Sequence, residues 1–359
     1  MTLERMLFGL HLRVLLASLG VLLLLSVVME FFESAHALLS GRGSASDVLF
    51  FCLYRVPDLV VLLVPIALVA ASCVTFALLS RGNELRALAA AGIGPARIAL
   101  PVFAIAALAV VAAILTAEFV VPPALDRLDQ LMLAKFGRID SSWRFYHVRH
   151  WYKGDDDRIF HVIGRSGDLH RIKVFELFEV DDNFHLRRRT RVNQATWKSD
   201  HWEGEWVETW RFSDAAIIAH SRDRHKKLDW PERPERFKNL QGRPKQKTFA
   251  ELSGTIDEMR ARGFPQAPYR LELHNRFAFP ILGVCLVFFF FPWLSAPSRR
   301  RSLAGALSES IGLIFAAYFV VAVCTAAVGG RLLSAVAGAW IPPILFLIAA
   351  LPGWLRAER

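Results

Sequence analysis

The sequence predicts a polytopic α-helical membrane protein with six transmembrane helices and an inserted all-β, jelly-roll-like domain. Two observations support this class. The chain of 359 residues is 54% hydrophobic, and its long charge-free stretches lie before residue 120 and after residue 276. The segment 141–250 holds 23 Lys/Arg and 17 Asp/Glu, more than half of all charged residues. Such segregated apolar content excludes a disordered chain and a single uniform soluble fold.

Six stretches are long and apolar enough to be membrane spans, which need about 20 mainly apolar residues. The third is expected to end at Glu118 and the Pro122-Pro123 pair, and the sixth to begin nearer Ala335. Internal prolines are expected to kink the helices without breaking them, because neighbouring groups can satisfy the freed carbonyls. The predicted spans are Val14–Met29 with a continuation to Phe32, Leu59–Ser80, Ile98–Ala117, Phe277–Ser298, Ile311–Gly330 and Leu332–Leu355.

The charged segment between spans three and four has the pattern of β structure. Short runs rich in Val, Ile, Phe and Trp alternate with turn residues, a spacing typical of a sandwich or jelly roll. Seven of the ten tryptophans lie here, either as core and cross-strand aromatic pairs or as the lining of an apolar interior that holds acyl chains. The predicted strands are Trp143–Trp151, Arg158–Ile163, Arg171–Val180, Leu186–Trp197 and Trp202–Phe212.

A proline-rich basic stretch, Trp230–Lys247, follows the strands. Thr248 and Glu251 then form the pattern of a capping box, which predicts a short helix that ends near Gly263. The expected organisation is spans one to three with a cytoplasmic helix near 82–96 in residues 1–136, the β domain in 137–247, a linker helix in 248–268, and spans four to six in 269–359.

Arginines in the short loops predict the orientation, since cytoplasmic loops carry an excess of Lys and Arg. Both termini are therefore expected in the cytoplasm and the β domain outside it, where nucleic acid is not an expected partner. One side collects ten arginines and the other three: Arg5, Arg13, Arg81, Arg86, Arg97, Arg299, Arg300, Arg301, Arg356 and Arg359 against Arg42, Arg55 and Arg331.

The sequence contains no recognisable catalytic motif. It has no GxxxxGK[ST] phosphate loop, no HExxH and no GxSxG, so no catalytic, cofactor-binding or metal-binding residue is predicted. The four cysteines all lie in apolar stretches, where they are expected as small buried hydrophobes. They are Cys52, Cys73, Cys285 and Cys324.

The segment after span two predicts a short amphipathic helix at the inner membrane surface. Leu85, Leu88 and Gly92, together with Ala89, fall on one helix face. Two interpretations remain open. The helix could rest on lipid, or it could insert into a groove on a cytoplasmic partner, where Glu84 would meet a basic residue.

This segment resembles the coupling segment of the LptF/LptG permease family, whose pattern runs E-L-x-x-[ML]-x-A-x-G. Residues 84–92 fit the pattern without a gap. Val56-Pro57 before span two, Arg276-Phe-Ala-Phe-Pro280 and Ile341-Pro342-Pro343 support the resemblance. Phe31, Glu33 and Trp151-Tyr-Lys are closer to the LptG branch.

The resemblance implies a permease subunit of the ABC transporter that extracts lipopolysaccharide from the Gram-negative inner membrane. It implies no enzyme activity of the chain itself. The implied partners are a dimer of cytoplasmic ABC ATPase subunits, a second LptF/LptG-type permease, membrane lipid, and a periplasmic bridge protein that receives the lipid from the β domain. The residues implied in ATPase coupling are Glu84, Leu85, Arg86, Leu88 and Gly92.

Charged residues at the outer ends of the spans are candidates for a lipid gate. Glu30 and Glu33 share a helix face and either reach head-group water or pair with Arg42, Arg331 or another subunit. Arg55 and Asp58 are expected to neutralise each other. The candidate gate residues are Glu30, Glu33, Arg42, Arg55 and Arg331.

Two other classes of function remain as alternatives. A polytopic envelope enzyme acting on lipid or glycan would need paired carboxylates or a histidine cluster at the outer surface, and only Glu30 and Glu33 approach this. A sensor that binds lipid or glycan would need a cytoplasmic signalling module, for which the short tails leave no room.

Overall fold

The computed structural model consists of two compact units, one helical and one built on a β-sheet. The helical unit comprises Met1–Leu128, Pro244–Ser253 and Gln266–Arg359, and the β unit comprises Asp129–Arg243 and Gly254–Pro265. The structure describes residues 2–39, 44–131, 150–153, 158–165, 171–181, 185–198, 200–213, 216–228, 230, 244–261, 266–295 and 303–357.

Six long apolar helices confirm the predicted membrane spans. The sixth begins at Ala335, as expected. In chain order the helices are α1 (Thr2–Leu39), α2 (Ala45–Arg81), α3 (Glu84–Ala90), α4 (Pro95–Leu115), α5 (Val121–Leu131), α6 (Phe249–Ala261), α7 (Ala267–Leu294), α8 (Leu303–Gly329) and α9 (Ala335–Ala357).

Span three does not stop at the proline pair, contrary to prediction. A π-helical turn, Thr116–Val120, joins α4 to α5, and the Val121 N–H donates to the Thr116 carbonyl. Pro122 and Pro123 follow at the start of α5. Prolines are tolerated in the first turn of a helix because the N–H groups at these positions have no acceptor within the helix. A proline there removes no helical hydrogen bond. The helix therefore continues through the pair.

Span four also begins earlier than predicted. The sequence places its start at Phe277, but α7 begins at Ala267. The added turns carry Arg270, Glu272 and Arg276, and their charge hides the helix from a search for apolar runs. Arg276 is buried in an ion pair, which explains how charged residues are accommodated here.

The core of the helical unit is centred on α2, which packs against α1, α4, α7 and α8. Gly283 of α7 lies so close to α2 that a Cβ atom would stand 2.9 Å from the Cα of Pro65. Only glycine permits this approach of the two backbones. All four cysteines are buried and free of disulfides, as predicted.

The six spans give the helical unit two distinct ends. The insertion end is where α5 finishes and α7 begins, so residues 132–266 are inserted there. The opposite end carries α3 between α2 and α4, together with the start of α1. An ion pair of 3.6 Å between Glu4 and Arg97 joins the starts of α1 and α4 at this opposite end.

The inserted segment contains a six-stranded antiparallel sheet, which confirms an all-β insertion. Its strands pair in sequence order as a meander, and within the described residues they form one sheet where a sandwich or jelly roll would have two. The strands are β1 (His150–Lys153), β2 (Arg158–Arg165), β3 (Arg171–Val180), β4 (Leu186–Lys198), β5 (His201–Ser213) and β6 (Ala216–Leu228).

The strands differ from the prediction in two places. The prediction for 143–149 lies outside the described residues. Strand β6 was not predicted, because it is an edge strand whose side chains are almost all exposed and mostly polar. Because nearly all β6 side chains are exposed, the strand shows no apolar alternation, and charged residues on an edge strand hinder unwanted pairing.

One face of the sheet carries an aromatic core. The Trp230 ring packs edge-on against Phe160, Phe175 and Trp202, with centroid distances of 5.9, 4.1 and 5.9 Å. Trp197 packs in turn on its cross-strand partner Trp202 at 5.3 Å. For these tryptophans the structure confirms core and cross-strand pairing.

The linker helix α6 begins as its capping box predicts. The Thr248 N–H donates to the Glu251 carboxylate at 2.9 Å, and the Glu251 N–H donates to the Thr248 hydroxyl at 3.4 Å. A short 3₁₀ turn, Pro244–Gln246, precedes it. The predicted C-terminal cap at Gly263 lies outside the described residues.

Candidate functional site

An ion-pair network links four spans at the insertion end of the helical unit. Arg55 of α2 donates to Glu30 of α1 at 3.0 Å and to Asp58 at 3.3 Å. Asp58 also accepts from Lys245 at 2.8 Å. A second pair, Arg276 with Glu118 at 2.7 Å, lies between α7 and the π-helical turn. We call these six residues the insertion-end network: Glu30, Arg55, Asp58, Glu118, Lys245 and Arg276.

Arg276 is the most buried member, with 4% of its side chain exposed. Besides Glu118, its guanidinium donates to the backbone carbonyls of Pro244 and Lys247. Glu118 also accepts from the Phe249 N–H at 2.7 Å. Arg276 and Glu118 therefore fasten the segment 244–249 to the ends of spans three and four. A guanidinium suits this task because its donors form a rigid planar fork.

Lys245 donates to one carboxylate, Asp58 of α2, and a second carboxylate, Glu272 of α7, acts on its charge. Burial alone would lower the pKa of its ammonium, but Asp58 and Glu272 more than offset this and raise the pKa above its ordinary value. The ammonium therefore stays charged throughout the neutral range. With Glu272 included, four carboxylates and three cations are grouped at the insertion end of the helical unit.

The structure brings together two of the five predicted gate residues. Glu30 pairs with Arg55, a partner that the sequence does not predict. The mutual neutralisation of Arg55 and Asp58 is confirmed. Glu33 is exposed on α1, and Arg42 lies outside the described residues. Arg331 is exposed in the turn after α8, with a positive φ of 60° and no ion pair among the described residues.

Sequence reasoning missed Glu118, Lys245 and Arg276 as functional candidates. Their contacts join residues 158 and 187 positions apart, and no local pattern reveals such pairs. A weak signal is present in the sequence, since Glu118 and Arg276 each lie at the edge of an apolar run and Lys245 follows a proline.

At the opposite end, α3 confirms the predicted short helix after span two. Leu85 is 4% exposed and, with Leu88, packs against the core of the helical unit. Glu84, Arg86 and Gly92 are exposed. Leu85 and Leu88 are therefore turned inward, and the exposed surface of α3 carries Glu84, Arg86 and the alanines Ala87, Ala89 and Ala90.

Gly92 ends α3 in a Schellman motif. Its φ is +72°, the Ile93 N–H donates to the Leu88 carbonyl at 3.0 Å, and the Gly92 N–H donates to the Ala89 carbonyl at 3.0 Å. Leu88 and Ile93 both pack against the core, which supplies the hydrophobic contact of this motif. The glycine of the family pattern is thus explained by the backbone it must adopt.

Gly92→Ala should loosen the end of α3 through the backbone alone, because no atom lies within 4 Å of an added Cβ. A side chain at this φ costs about 1–2 kcal/mol, so amide exchange at residues 91–93 should accelerate roughly tenfold. Gly94→Ala is the matched control, since Gly94 has an ordinary φ of −66° and equally open space. Equal exchange in both variants would contradict this explanation of Gly92.

The β unit holds a buried charged cluster of its own. Glu176 accepts from Arg189 at 2.6 Å and lies 3.5 Å from His161. Burial raises the pKa of the Glu176 carboxyl, but Arg189 and His161 outweigh it and bring the pKa below its ordinary value. Ionised Glu176 therefore stabilises the folded state fully above about pH 4.3, the ordinary pKa of glutamate. This stabilisation is lost as the pH falls through the lower pKa that Glu176 has in the folded state.

Glu176→Gln should accordingly destabilise the sheet more at pH 7 than at pH 3.5. We expect a loss of roughly 1.5–3 kcal/mol in the free energy of unfolding at pH 7, typical of hydrogen bonds to charged groups, and a smaller loss in acid. Urea unfolding followed by tryptophan fluorescence at both pH values measures this. A loss of the same size at both would contradict the assignment of the ionised form.

No group of three or more His, Cys, Asp or Glu side chains suited to a metal ion occurs among the residues that the structure describes.

Comparisons with known proteins identify the family of the chain. A search of curated proteins finds no match to the chain. A family model described as "Lipopolysaccharide export system permease LptF/LptG" matches residues 5–356, nearly the whole chain. The match covers all six spans, α3, the β strands and the insertion-end network. The chain therefore belongs to the LptF/LptG family of lipopolysaccharide export permeases.

Proposed function

We propose that the chain is one of two permeases in a lipopolysaccharide exporter and that a separate ABC ATPase dimer drives it through α3. The observation that carries the proposal is the fixed presentation of α3. Leu85 and Leu88 anchor it, the Gly92 turn ends it, and Glu84 is left exposed at its start. A short helix that is anchored in the core of the helical unit can transmit a movement of the partner to the spans.

The second permease is proposed from the uneven burial of the spans. In the apolar window of span one 6% of residues are buried within the chain, and in span five 17%, against 67% in span two. Spans one and five are therefore open to lipid or to another helical subunit. We propose that the partner permease and the acyl chains of the substrate meet these two spans.

The gate role of Glu30 and Arg55 is proposed from their placement on two helices. Their contact is a link between α1 and α2 at the insertion end. If α1 moved away from α2, Arg55 would lose one carboxylate and could bind a lipid phosphate, which guanidinium groups recognise well. Glu33, Arg42 and Arg331 are the other residues proposed for the gate.

The proposed orientation puts both termini in the cytoplasm and the β domain in the periplasm, following the arginine excess around α3. In this orientation the β domain would pass lipid to a periplasmic bridge protein. The LptG branch is the proposed one within the family.

The proposal is tested by purifying the tagged chain in mild detergent and identifying the bound chains and lipids by mass spectrometry. We expect an ABC ATPase, a second permease and lipopolysaccharide. Recovery of the chain without an ATPase, under conditions in which the second permease is retained, would contradict the proposal.

A further inference from the structure

The face of the sheet opposite the aromatic core carries alternating charges across four strands. In register, Glu176 of β3 pairs with Arg191 of β4, Arg191 with Glu208 of β5, and Glu208 with Arg222 of β6. Glu208 and Arg222 form an ion pair of 2.6 Å. This row borders a pocket of about 220 Å³ lined by Arg191, Asn193, Trp206, Glu208 and Arg222.

Trp206 in this pocket has an unfavourable conformation and an unfavourable environment. Its φ is +53°, a region in which a side chain costs roughly 1–2 kcal/mol. The indole is nevertheless 49% exposed. Gly204 and Val207 are buried, so the alternation of β5 breaks between them and leaves Glu205 and Trp206 both exposed. Strained, exposed residues of this kind concentrate at ligand sites.

The cations around Trp206 exceed the anions. The Arg224 guanidinium stands 5.5 Å from the indole ring centroid. Arg222 is paired with Glu208, whereas Arg191 is exposed and has no carboxylate within 4 Å among the described residues. With the exposed Glu205 beside Trp206 included, three arginines face two carboxylates, which leaves one excess positive charge around an open aromatic surface.

We propose that this pocket binds an anionic saccharide. A sugar ring would lie on the indole of Trp206, and Arg191 would bind a phosphate or carboxylate substituent through its planar fork. The Asn193 amide and the Glu208 carboxylate would take sugar hydroxyls. The volume suits a single ring, because it falls below the roughly 300–1,000 Å³ of sites for drug-sized ligands.

The identity of the saccharide rests on the proposed function. In an exporter of a glycolipid, the phosphorylated sugars of the substrate are the anionic saccharide that the β domain would meet. The pocket is separate from the aromatic core, which lies on the other face of the sheet.

The test measures binding of deacylated, phosphorylated lipopolysaccharide oligosaccharide to the full chain in detergent by calorimetry. Trp206→Gly removes the indole while permitting the positive φ, so the sheet should be kept. Arg191→Gln removes the unpaired cation. Arg211→Gln is the matched control, since Arg211 is exposed on β5 but does not line the pocket.

We expect the control to bind like the wild type, Arg191→Gln to weaken binding about threefold to tenfold, and Trp206→Gly to weaken it by about tenfold or more. The same oligosaccharide treated with phosphatase should bind more weakly. Equal affinity of all variants, or undiminished binding after phosphatase treatment, would overturn the proposal. Complete displacement by an equal concentration of inorganic phosphate would overturn its saccharide part.

These outcomes are distinguishable from failure of the proposed function. If the pocket does not bind the oligosaccharide, the wild type should still associate with an ATPase and export lipid. Failure of the wild type to associate with an ATPase would contradict the exporter role whether or not the pocket binds sugar.

Discussion

Arg276→Met should lower the free energy of unfolding of the helical unit by about 3–5 kcal/mol, the usual cost of removing one partner of a buried ion pair. The substitution leaves the Glu118 carboxylate and the carbonyls of Pro244 and Lys247 without the guanidinium that satisfies them. Thermal unfolding in detergent measures the loss. Amide exchange should localise it to residues 244–253.

Arg270→Met is the matched control on the same helix. Arg270 lies almost two turns earlier on α7 and is not part of the insertion-end network, so its loss should change unfolding little. Arg276→Lys should fall between the two, because one ammonium cannot reach all three oxygen atoms in the fork geometry of arginine. Indistinguishable unfolding temperatures for Arg276→Met and Arg270→Met would refute the fastening role.

Glu84→Arg should reduce the amount of ATPase that co-purifies with the chain at least about tenfold, while the chain still inserts and folds. Glu84 is exposed and makes no ion pair among the described residues, so its carboxylate is open to a basic group on the ATPase. Reversing its charge places like charges together, which costs several kcal/mol at an interface.

Glu4→Arg provides the matched charge reversal at the same end of the helical unit. Glu4 pairs with Arg97 across a partly exposed contact, so its reversal should cost little stability. It lies outside α3 and should leave ATPase association unchanged. Normal co-purification from Glu84→Arg, or equal loss from both variants, would count against coupling through Glu84.

The six spans and the inserted domain were predictable because a membrane-spanning helix needs a long apolar stretch with few charges, and the sequence shows both features directly. The helix ends were less predictable. The charged first turns of α7 were missed because Arg276 is neutralised by Glu118, a residue in another span. The continuation through Pro122 and Pro123 depends on a π-helical turn that has no apolar signature. Strand β6 was missed because an exposed edge strand lacks the alternating pattern.

The candidate sites also contain features that the local sequence predicts and features that depend on tertiary contacts. The helix α3 was predictable because its pattern is local, and Gly92 follows from the turn that ends it. The side of α3 that is exposed could not be predicted, because the burial of Leu85 depends on packing against the neighbouring spans. The pairing of Glu30 with Arg55 and the positive φ of Trp206 arise from tertiary contacts and strand twist, which sequence spacing does not report.

Reconstitution tests the exporter role most directly. The chain, a second permease and the ATPase dimer would be placed in nanodiscs with fluorescent lipopolysaccharide, and transfer to a soluble periplasmic acceptor would be followed. We predict transfer that requires ATP, stops when this chain is omitted and falls sharply with Glu84→Arg. Transfer without nucleotide, or without this chain, would contradict its assignment as an ATPase-driven permease subunit.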